Sequence, residues 1–475
     1  MRNDEKISLI TDRIVRRLEG NTAGKKPLSR PVETGHGVFA DVRSAVAAAM
    51  QAQNELSSGG LALREKTVEA IRQCSHRNAE AFSISAVEES GMGRVEDKIR
   101  KNILSGHSTP GVEDIRPNVF TGDKGLTLVE RAPWGLIGAI IPCTNSTETI
   151  INNSIGMLAA GNSVIFSPHP ITGETSKFCV QEINRAMLAA GCPQNLVVTV
   201  QNPSIETAQE IMRNEDIRLL VVTGGTAVVN MAMKLGKKVI AAGPGNPPAI
   251  VDETANLSDA ARDLVAGHSF DNNIICICEK ELIVVDSIYN KFKEELLKQP
   301  VMALNKNQTQ RLTDKVLEIQ GNKKEEGRPS REFVGRNASF LLKSIGLNGC
   351  DKLRTLLAEV DKDHPLAWTE QLMPVLPMIK AKNFEEALEL GLAYEKNNRH
   401  TATMFSMNID RLSRAALAFN CSLFVKNGPS YAGLGFGGEG FASFTIATPT
   451  GEGLTSARNF TRERRCALVN YFRIV

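Results

Sequence analysis

The 475-residue chain predicts an α/β protein built on a buried parallel sheet. Three observations carry that expectation. Short β-branched runs alternate with longer helical ones between residues 135 and 242, and a second, less regular α/β stretch follows. The composition, 42% hydrophobic and 23% charged, excludes collagen, disorder and coiled coil. At about 150 residues per domain the length suggests about three units.

The elements follow in order. Ile7, Ile10, Ile14 and Leu18, with Val15 beside them, fall at helical spacing, and Arg13, Arg16, Arg17 and Glu19 take the other face. Residues 1–20 therefore read as a short amphipathic helix stopped by Gly20, and residues 21–37, rich in Pro, Gly, Lys and Arg, as a linker. Such a helix either docks on another molecule or packs on its own domain. Helices at Val42–Leu56 and Leu63–Glu88 come next, then a hairpin, Asn118–Phe120 and Leu126–Val129 around a turn at residues 122–125.

The rhythmic part starts with a strand at Gly135–Ile141 and a helix at Thr147–Ala160. Strands at Ser163–Ser167, Leu196–Val200, Leu219–Thr223 and Val239–Ala242 alternate with helices at Gly173–Ala190, Ile205–Arg213 and Ala227–Leu235. A sheet of this kind binds ligands beyond the carboxyl ends of its strands, where Pro142-Cys143-Thr144-Asn145 and Thr223-Gly224-Gly225 fall, so a nucleotide-type ligand is expected. Further on, strands are expected at Ala249–Val251, Lys280–Val285, Val375–Ile379, Ala402–Phe405 and Ser422–Val425, with Gly321–Arg331 as a charged exposed loop.

Composition also limits partners. Lys plus Arg is 56 against 53 for Asp plus Glu, and a net charge of +3 is too small for a nucleic-acid footprint on a chain this long. Nine cysteines, an odd and scattered set, fit a reducing compartment better than a disulfide framework. No apolar stretch approaches the roughly 20 residues that span a bilayer, so neither a membrane span nor a secretory signal is expected.

The segment Asp271-Asn272-Asn273-Ile274-Ile275-Cys276-Ile277-Cys278-Glu279-Lys280 places two thiols just before a strand. From the residues alone it could be a redox couple, half a metal site, or a nucleophile beside a structural neighbour. Two buried apolar cysteines are the plainest reading. Zinc would need two more ligands, and no CxxC or His pair supplies them, so no metal site is assigned. From the residues alone Asn145 reads as a helix cap. Gly433–Gly438 fits G-x-G-x-x-G, but the β-like Phe441–Ile446 follows where a helix would be needed, so it is not read as a dinucleotide site.

Several motifs in register resemble the aldehyde dehydrogenase superfamily: Glu89–Gly93, Pro133-Trp134-Gly135, Thr144-Asn145, Gly161–Ile165, Val222–Gly225, Gly243–Pro248 and Asp271–Cys276. The likeness runs from about Gly37 to the C-terminus and looks closest to the CoA-acylating branch of bacterial microcompartments. It implies a Rossmann-type cofactor domain (residues 38–111 and 132–242), a second α/β catalytic domain (243–445), and a small β oligomerisation element (112–131 and 460–475, with a strand at Ala467–Ile474). It further implies Cys276 as nucleophile, attacking the aldehyde to form a thiohemiacetal that is oxidised to a thioester. Asn145, with the Cys276 backbone N–H, would hold the oxyanion.

The resemblance also assigns the cofactor contacts. Thr223, Gly224, Gly225, Pro142 and Thr144 line the nucleotide loops, Glu370 would bond the nicotinamide ribose, and Ser167, Pro168 and His169 stand where NAD-linked hydrolytic relatives carry Lys-Pro. NAD is the implied acceptor, with NADP left open by the missing lysine. Hydrolytic relatives activate water with a glutamate in a Glu-Leu-Gly-Gly segment, and here the corresponding stretch is Ala241-Ala242-Gly243-Pro244-Gly245. Alanine cannot act as a base, which favours release of the acyl group to coenzyme A. The expected reaction is a short-chain aldehyde, acetaldehyde or propionaldehyde, with CoA and NAD giving acyl-CoA and NADH, reversibly. Ser146 departs from the proline of acylating relatives, and Thr147-Glu148 is bulkier and more charged than usual. Residues 1–20 resemble segments that dock cargo enzymes on a microcompartment shell protein. A cytoplasmic homodimer or homotetramer inside such a compartment is therefore expected. The alternatives are a hydrolytic enzyme with a relocated base and a non-catalytic scaffold component.

Overall fold

The computed structural model describes residues 7–8, 11–16, 34–319 and 327–474. The chain forms two compact bodies: Met1–Ser90, Ile99–Ala242 and Phe441–Val475 make the first, and Gly91–Lys98 with Gly243–Gly440 the second.

The first body begins with β1 (Val38–Phe39), α1 (Val42–Ser58), α2 (Gly60–Ser90) and most of α3 (Val95–Ser108), followed by the hairpin β2 (Asn118–Gly122) and β3 (Gly125–Pro133). It then alternates through β4 (Leu136–Ile141), α4 (Ser146–Ala159), β5 (Ser163–Pro168), α5 (Gly173–Ala189), β6 (Val197–Val200), α6 (Ile205–Arg213), β7 (Ile217–Thr223), α7 (Thr226–Met233) and β8 (Lys238–Ala242). The six-stranded sheet is parallel, in the order β1-β6-β5-β4-β7-β8. From β4 the chain winds one way through β5 and β6, then returns to the other side for β7 and β8. The order therefore reverses beside β4, and a crevice opens at the carboxyl ends there.

The strand runs are apolar throughout because both faces are covered. Ile137, Ala139 and Ile141 enter one core cluster with Ile150, Ile155 and Val180, while Leu136 and Ile140 enter another with Val46, Ile211 and Val229. Asp41 caps α1 by accepting from the Ser44 backbone N–H at 2.8 Å, and Ser204 and Thr207 form a capping box on α6.

The second body contains β9 (Pro248–Val251), α8 (Leu257–His268), β10 (Glu281–Val285), α9 (Tyr289–Leu297), β11 (Val301–Leu304) and α10 (Lys306–Val316). A short antiparallel pair follows, β12 (Leu317–Glu318) with β13 (Arg328–Pro329), then α11 (Ala338–Ser344), β14 (Thr355–Glu359), α12 (Pro365–Trp368), β15 (Val375–Ala381), α13 (Phe384–Glu395), β16 (Thr401–Phe405), α14 (Ile409–Phe419) and β17 (Leu423–Lys426). Its parallel sheet runs β11-β14-β15-β10-β9-β16-β17.

The chain returns to the first body with β18 (Ile446–Ala447), β19 (Gly453–Leu454) and β20 (Thr461–Val469). β20 pairs antiparallel along the whole of β3, from Thr461 opposite Pro133 to Val469 opposite Gly125. The length of β3 thus corrects the expected strand at Ala467–Ile474: it starts six residues earlier, at Thr461, and ends at Val469. Strands β1, β11 and β14 were not expected from sequence, and the loop expected at Gly321–Arg331 includes the β13 pairing, with residues 321–326 outside the described set. Residues 7–8 and 11–16 are helical, with Ile7 and Thr11 buried and Arg13 exposed; Ile10, Arg17, Leu18, Glu19 and residues 21–33 of the expected linker lie outside the described residues. Among the described residues no helix is long and apolar enough to cross a membrane.

Candidate active site

In the second body the Cys-x-Cys segment sits on an unusual backbone. Asp271, Asn272 and Asn273 all have positive φ, at 49°, 54° and 66°. Left-handed conformations at three consecutive non-glycine residues persist only where the surroundings over-determine them. The contacts here do so. The Asp271 carboxylate accepts from the Arg94 backbone N–H at 2.7 Å and pairs with Lys98 at 3.1 Å, both side chains at most 2% exposed. The Asp271 backbone N–H donates to Asp97 at 3.0 Å. Asn272 donates to the Gly335 carbonyl at 2.9 Å and accepts from Arg94 Nε at 2.9 Å.

Asn273 is held by a second buried cation. Lys280 Nζ donates to the Asn273 carbonyl at 2.7 Å, to Asn273 Oδ1 at 2.6 Å and to the Ile275 carbonyl at 3.2 Å. The Cys276 loop is thereby tied at both ends of its turn. Its two thiols differ: Cys276 is half-buried, whereas Cys278 is fully buried with its thiol 3.7 Å from the Phe270 carbonyl. Burial pushes the Cys278 thiol well up, which makes it a poor source of thiolate.

Gly245 packs under the loop. A Cβ there would stand 2.7 Å from the Cys276 carbonyl oxygen and 3.0 Å from the His400 ring, so the close approach demands glycine. Glu370 is half-buried, and its carboxyl is raised by burial and held back by Lys280. Burial, with Lys280 nearby, lowers the His400 imidazole to about 4, so it is neutral near pH 7. Its Nδ1 lies 2.8 Å from the Thr401 hydroxyl, and its Nε2 has no hydrogen-bond partner among the described residues. The same burial and the Lys280 charge disfavour the protonated ring, so it is a weak base. Glu279, also buried, is raised to about 7 by burial while its carboxylate accepts from the Ser430 N–H at 2.8 Å and hydroxyl at 2.9 Å.

The first body brings seven of the expected cofactor residues together. Pro142, Ser167, Pro168, His169, Thr223, Gly224 and Gly225 line one cavity of about 250 Å3 at the carboxyl ends of β4, β5 and β7, where the strand order reverses. At Gly224 and Gly225 a Cβ would meet no atom within 4 Å, so the wall is bare backbone facing open space. Gly225 is the N-cap of α7 and supplies no capping side chain, which leaves the helix N-terminus to an anion such as a pyrophosphate. This architecture fits a nicotinamide dinucleotide. The Thr223 hydroxyl is 3.1 Å from that of Thr445, which in turn donates to Asn153 at 3.2 Å.

Thr144 does not line that cavity; its hydroxyl accepts from Asn145 Nδ2 at 3.2 Å. Asn145 occupies the N-cap position of α4, yet its side chain makes no capping bond. Instead its Oδ1 accepts from Lys101 Nζ at 2.7 Å, and Lys101 also pairs with Glu148 at 3.0 Å, both about 1% exposed. Glu370 belongs to the second body, apart from the cavity-lining set. The Gly433–Gly438 stretch forms a 3-10 turn, Ser430–Leu434, with no helix after it.

The sequence reading missed Lys101, Lys280 and His400. Lys101 lies in Lys98-Ile99-Arg100-Lys101-Asn102-Ile103-Leu104, a run with three basic residues that composition alone does not separate from a solvated face.

The aldehyde dehydrogenase family pattern matches residues 32–445. The chain belongs to that family. It is 49% identical over 453 residues to the acetaldehyde dehydrogenase (acetylating) EutE of Salmonella typhimurium, covering 95% of this chain and 96% of the relative. Among solved structures, the Rhodopseudomonas palustris propionaldehyde dehydrogenase with bound CoA and an acylated cysteine is 46% identical, with TM-score 0.89, covering 92% of this chain and 99% of that one. A propionaldehyde dehydrogenase from the fucose utilisation bacterial microcompartment of Clostridium phytofermentans is 45% identical, with TM-score 0.90, covering 93% and 100%. Within this aldehyde dehydrogenase, the two loops described above carry the cysteine and the asparagine that the sequence singled out.

Proposed function

We propose that this aldehyde dehydrogenase is CoA-acylating, converting a short-chain aldehyde, CoA and NAD reversibly to acyl-CoA and NADH. The observation that carries the reading is the contrast within the cysteine pair: Cys276 is half-buried on a loop pinned at both ends, and Cys278 is sealed. Cys276 adds as thiolate to the aldehyde carbonyl, and the oxyanion so formed is stabilised by Asn145 and the Cys276 backbone N–H. Bound nicotinamide supplies the hydride acceptor. Loss of hydride from the adduct leaves a thioester on Cys276, and CoA attacks it as its thiolate. The thiolate of Cys276 leaves and acyl-CoA is released.

Acyl transfer to CoA rather than to water is supported by the buried alanines Ala241 and Ala242 where hydrolytic relatives carry their base. It is supported also by the relative crystallised with CoA and an acylated cysteine. In the cofactor cavity Thr223, Gly224 and Gly225 would hold the pyrophosphate side and Ser167, Pro168 and His169 the adenosine side, beside Pro142. Thr144 and Glu370 do not line that cavity and would contact the cofactor beyond it, Glu370 at the nicotinamide ribose. NAD is the assigned acceptor. The test is NADH formation from acetaldehyde, propionaldehyde and lactaldehyde, with and without CoA. Sustained turnover should need CoA; steady turnover without it would overturn the acylating reading.

Residues 1–20 would bind a microcompartment shell protein, placing the enzyme inside such a compartment in the cytoplasm. Deleting them should leave turnover intact and abolish co-purification with shells; retained co-purification would refute the assignment. The three-stranded sheet β2-β3-β20 leaves Val119, Phe120, Leu468 and Val469 exposed, which supports its use in a homodimer or homotetramer.

A further inference from the structure

Beside Asn145 the first body buries two full charges that the reaction above does not use. Lys101, on α3, and Glu148, on the first turn of α4, are each about 1% exposed, 3.0 Å apart, and Thr147 donates its hydroxyl to the other Glu148 oxygen at 3.3 Å. Taking an ammonium and a carboxylate out of water is expensive, and well-packed apolar residues commonly serve stability as well or better. The pair therefore calls for a reason other than stability.

Its geometry supplies one. An ammonium can only donate, so the amide of Asn145 must turn Oδ1 toward Lys101, at 2.7 Å, and Nδ2 away from it. Nδ2 carries two N–H groups, of which the Thr144 hydroxyl takes one. The charge on Oδ1 also draws electron density from the amide nitrogen and strengthens its N–H groups as donors. The side chain meanwhile forgoes the cap bond open to it at the start of α4, a bond that ordinarily stabilises a helix. Both facts fit an amide held for a donor role.

We propose that Lys101 is a positioning residue for Asn145, orienting and polarising its amide toward the oxyanion, with Glu148 as the counter-charge that lets Lys101 be buried. The proposal rests on the assignment of Asn145 as the oxyanion donor. Lys101 itself touches neither substrate nor cofactor in this account.

The test uses the full-length enzyme. Removing Lys101 alone would strand the Glu148 carboxylate, so the informative variant is K101M/E148Q, which keeps the interior neutral. Its kcat should fall on the order of tenfold to a hundredfold, somewhat less than loss of an oxyanion donor itself, with KM for aldehyde and for CoA changed by less than about threefold. N145A should lose about a hundredfold or more, and the triple variant should be no worse than N145A by more than about threefold, because Lys101 acts through Asn145. A second variant, K101Q/E148Q, keeps a neutral donor and should recover part of kcat.

Three results overturn the proposal: kcat of K101M/E148Q within about twofold of the parent, losses that multiply in the triple variant, or equal losses for the Met and Gln variants. An N145A enzyme with parental kcat would instead remove the oxyanion assignment, and this proposal with it. The two failures are thus distinguishable.

Discussion

The Cys276 loop and the cofactor cavity are built in opposite ways. Residues 271–275 are held by two buried lysines, an aspartate pair and an asparagine lattice, and three of them sit in the left-handed region. The cavity at the ends of β4, β5 and β7 is bounded by Gly224 and Gly225, around which a Cβ would meet nothing. A nucleophile that must meet a carbonyl carbon tolerates displacements of only a fraction of an ångström, so rigidity there is worth its cost in buried charge. A cofactor that leaves after every turnover needs room and a fixed anion-binding end, which bare backbone at a helix N-terminus provides. Asn145 lies between these extremes: its backbone at the head of α4 has a negative φ, and its side chain is fixed by one buried cation.

The sharpest way to break that contrast is at the sulfur. C276A should lower turnover by at least about a thousandfold with little change in melting temperature, since the thiol is half-buried, whereas C278A should keep kcat within about fivefold and lose stability. Equal effects of the two variants on kcat would erase the distinction between them.

Loosening the loop comes next. D271N removes the carboxylate that pairs with Lys98 inside the second body, and breaking a buried pair by one partner costs about 3–5 kcal/mol. Urea denaturation should show that loss, and kcat should fall in the molecules that remain folded. At the opposite extreme, G225L should leave the melting temperature within about 2 °C, because its backbone conformation suits any residue and the space is open. Its KM for NAD should nevertheless rise by about tenfold as the side chain fills the cavity. An unchanged KM would show that the dinucleotide binds elsewhere.

The smallest effect is a pH dependence in the second body. Glu279, raised by burial to about 7 from an ordinary value near 4.5, holds its proton in the folded protein after the unfolded chain has lost it. Folding then binds protons, so the contribution of Glu279 is fully present below about pH 4.5 and is lost as the pH rises to about 7. E279Q should show less decline in stability between pH 5 and pH 8 than the parent, read as the difference between their melting curves.

The two bodies also differ in how much of them could be read from sequence. β4 and β5 announce themselves because both faces are buried, making Leu136–Ile141 and Ser163–Pro168 almost continuous apolar runs. β11 sits at a sheet edge and is half exposed, and β14 is five residues between polar loops, so neither stands out. Pro142, Gly224 and Gly225 were legible because they follow strand ends, whereas Ser167, Pro168 and His169 were legible through the resemblance. The nucleophile was legible only through a resemblance spanning many motifs, since a Cys-x-Cys pair alone is more simply structural. What holds the site was not legible: Lys98 meets Asp271 and Lys101 meets Asn145 across 173 and 44 residues, and no local pattern encodes such pairs.

The most direct measurement is made without CoA. Enzyme mixed with propionaldehyde and NAD should release one NADH per active subunit and stop, and intact-protein and fragment mass spectra should place one propionyl group on Cys276. Adding CoA should discharge it as propionyl-CoA and restart turnover. An acyl group on Cys278, or NADH that continues to form without CoA and without an acylated enzyme, would contradict the account.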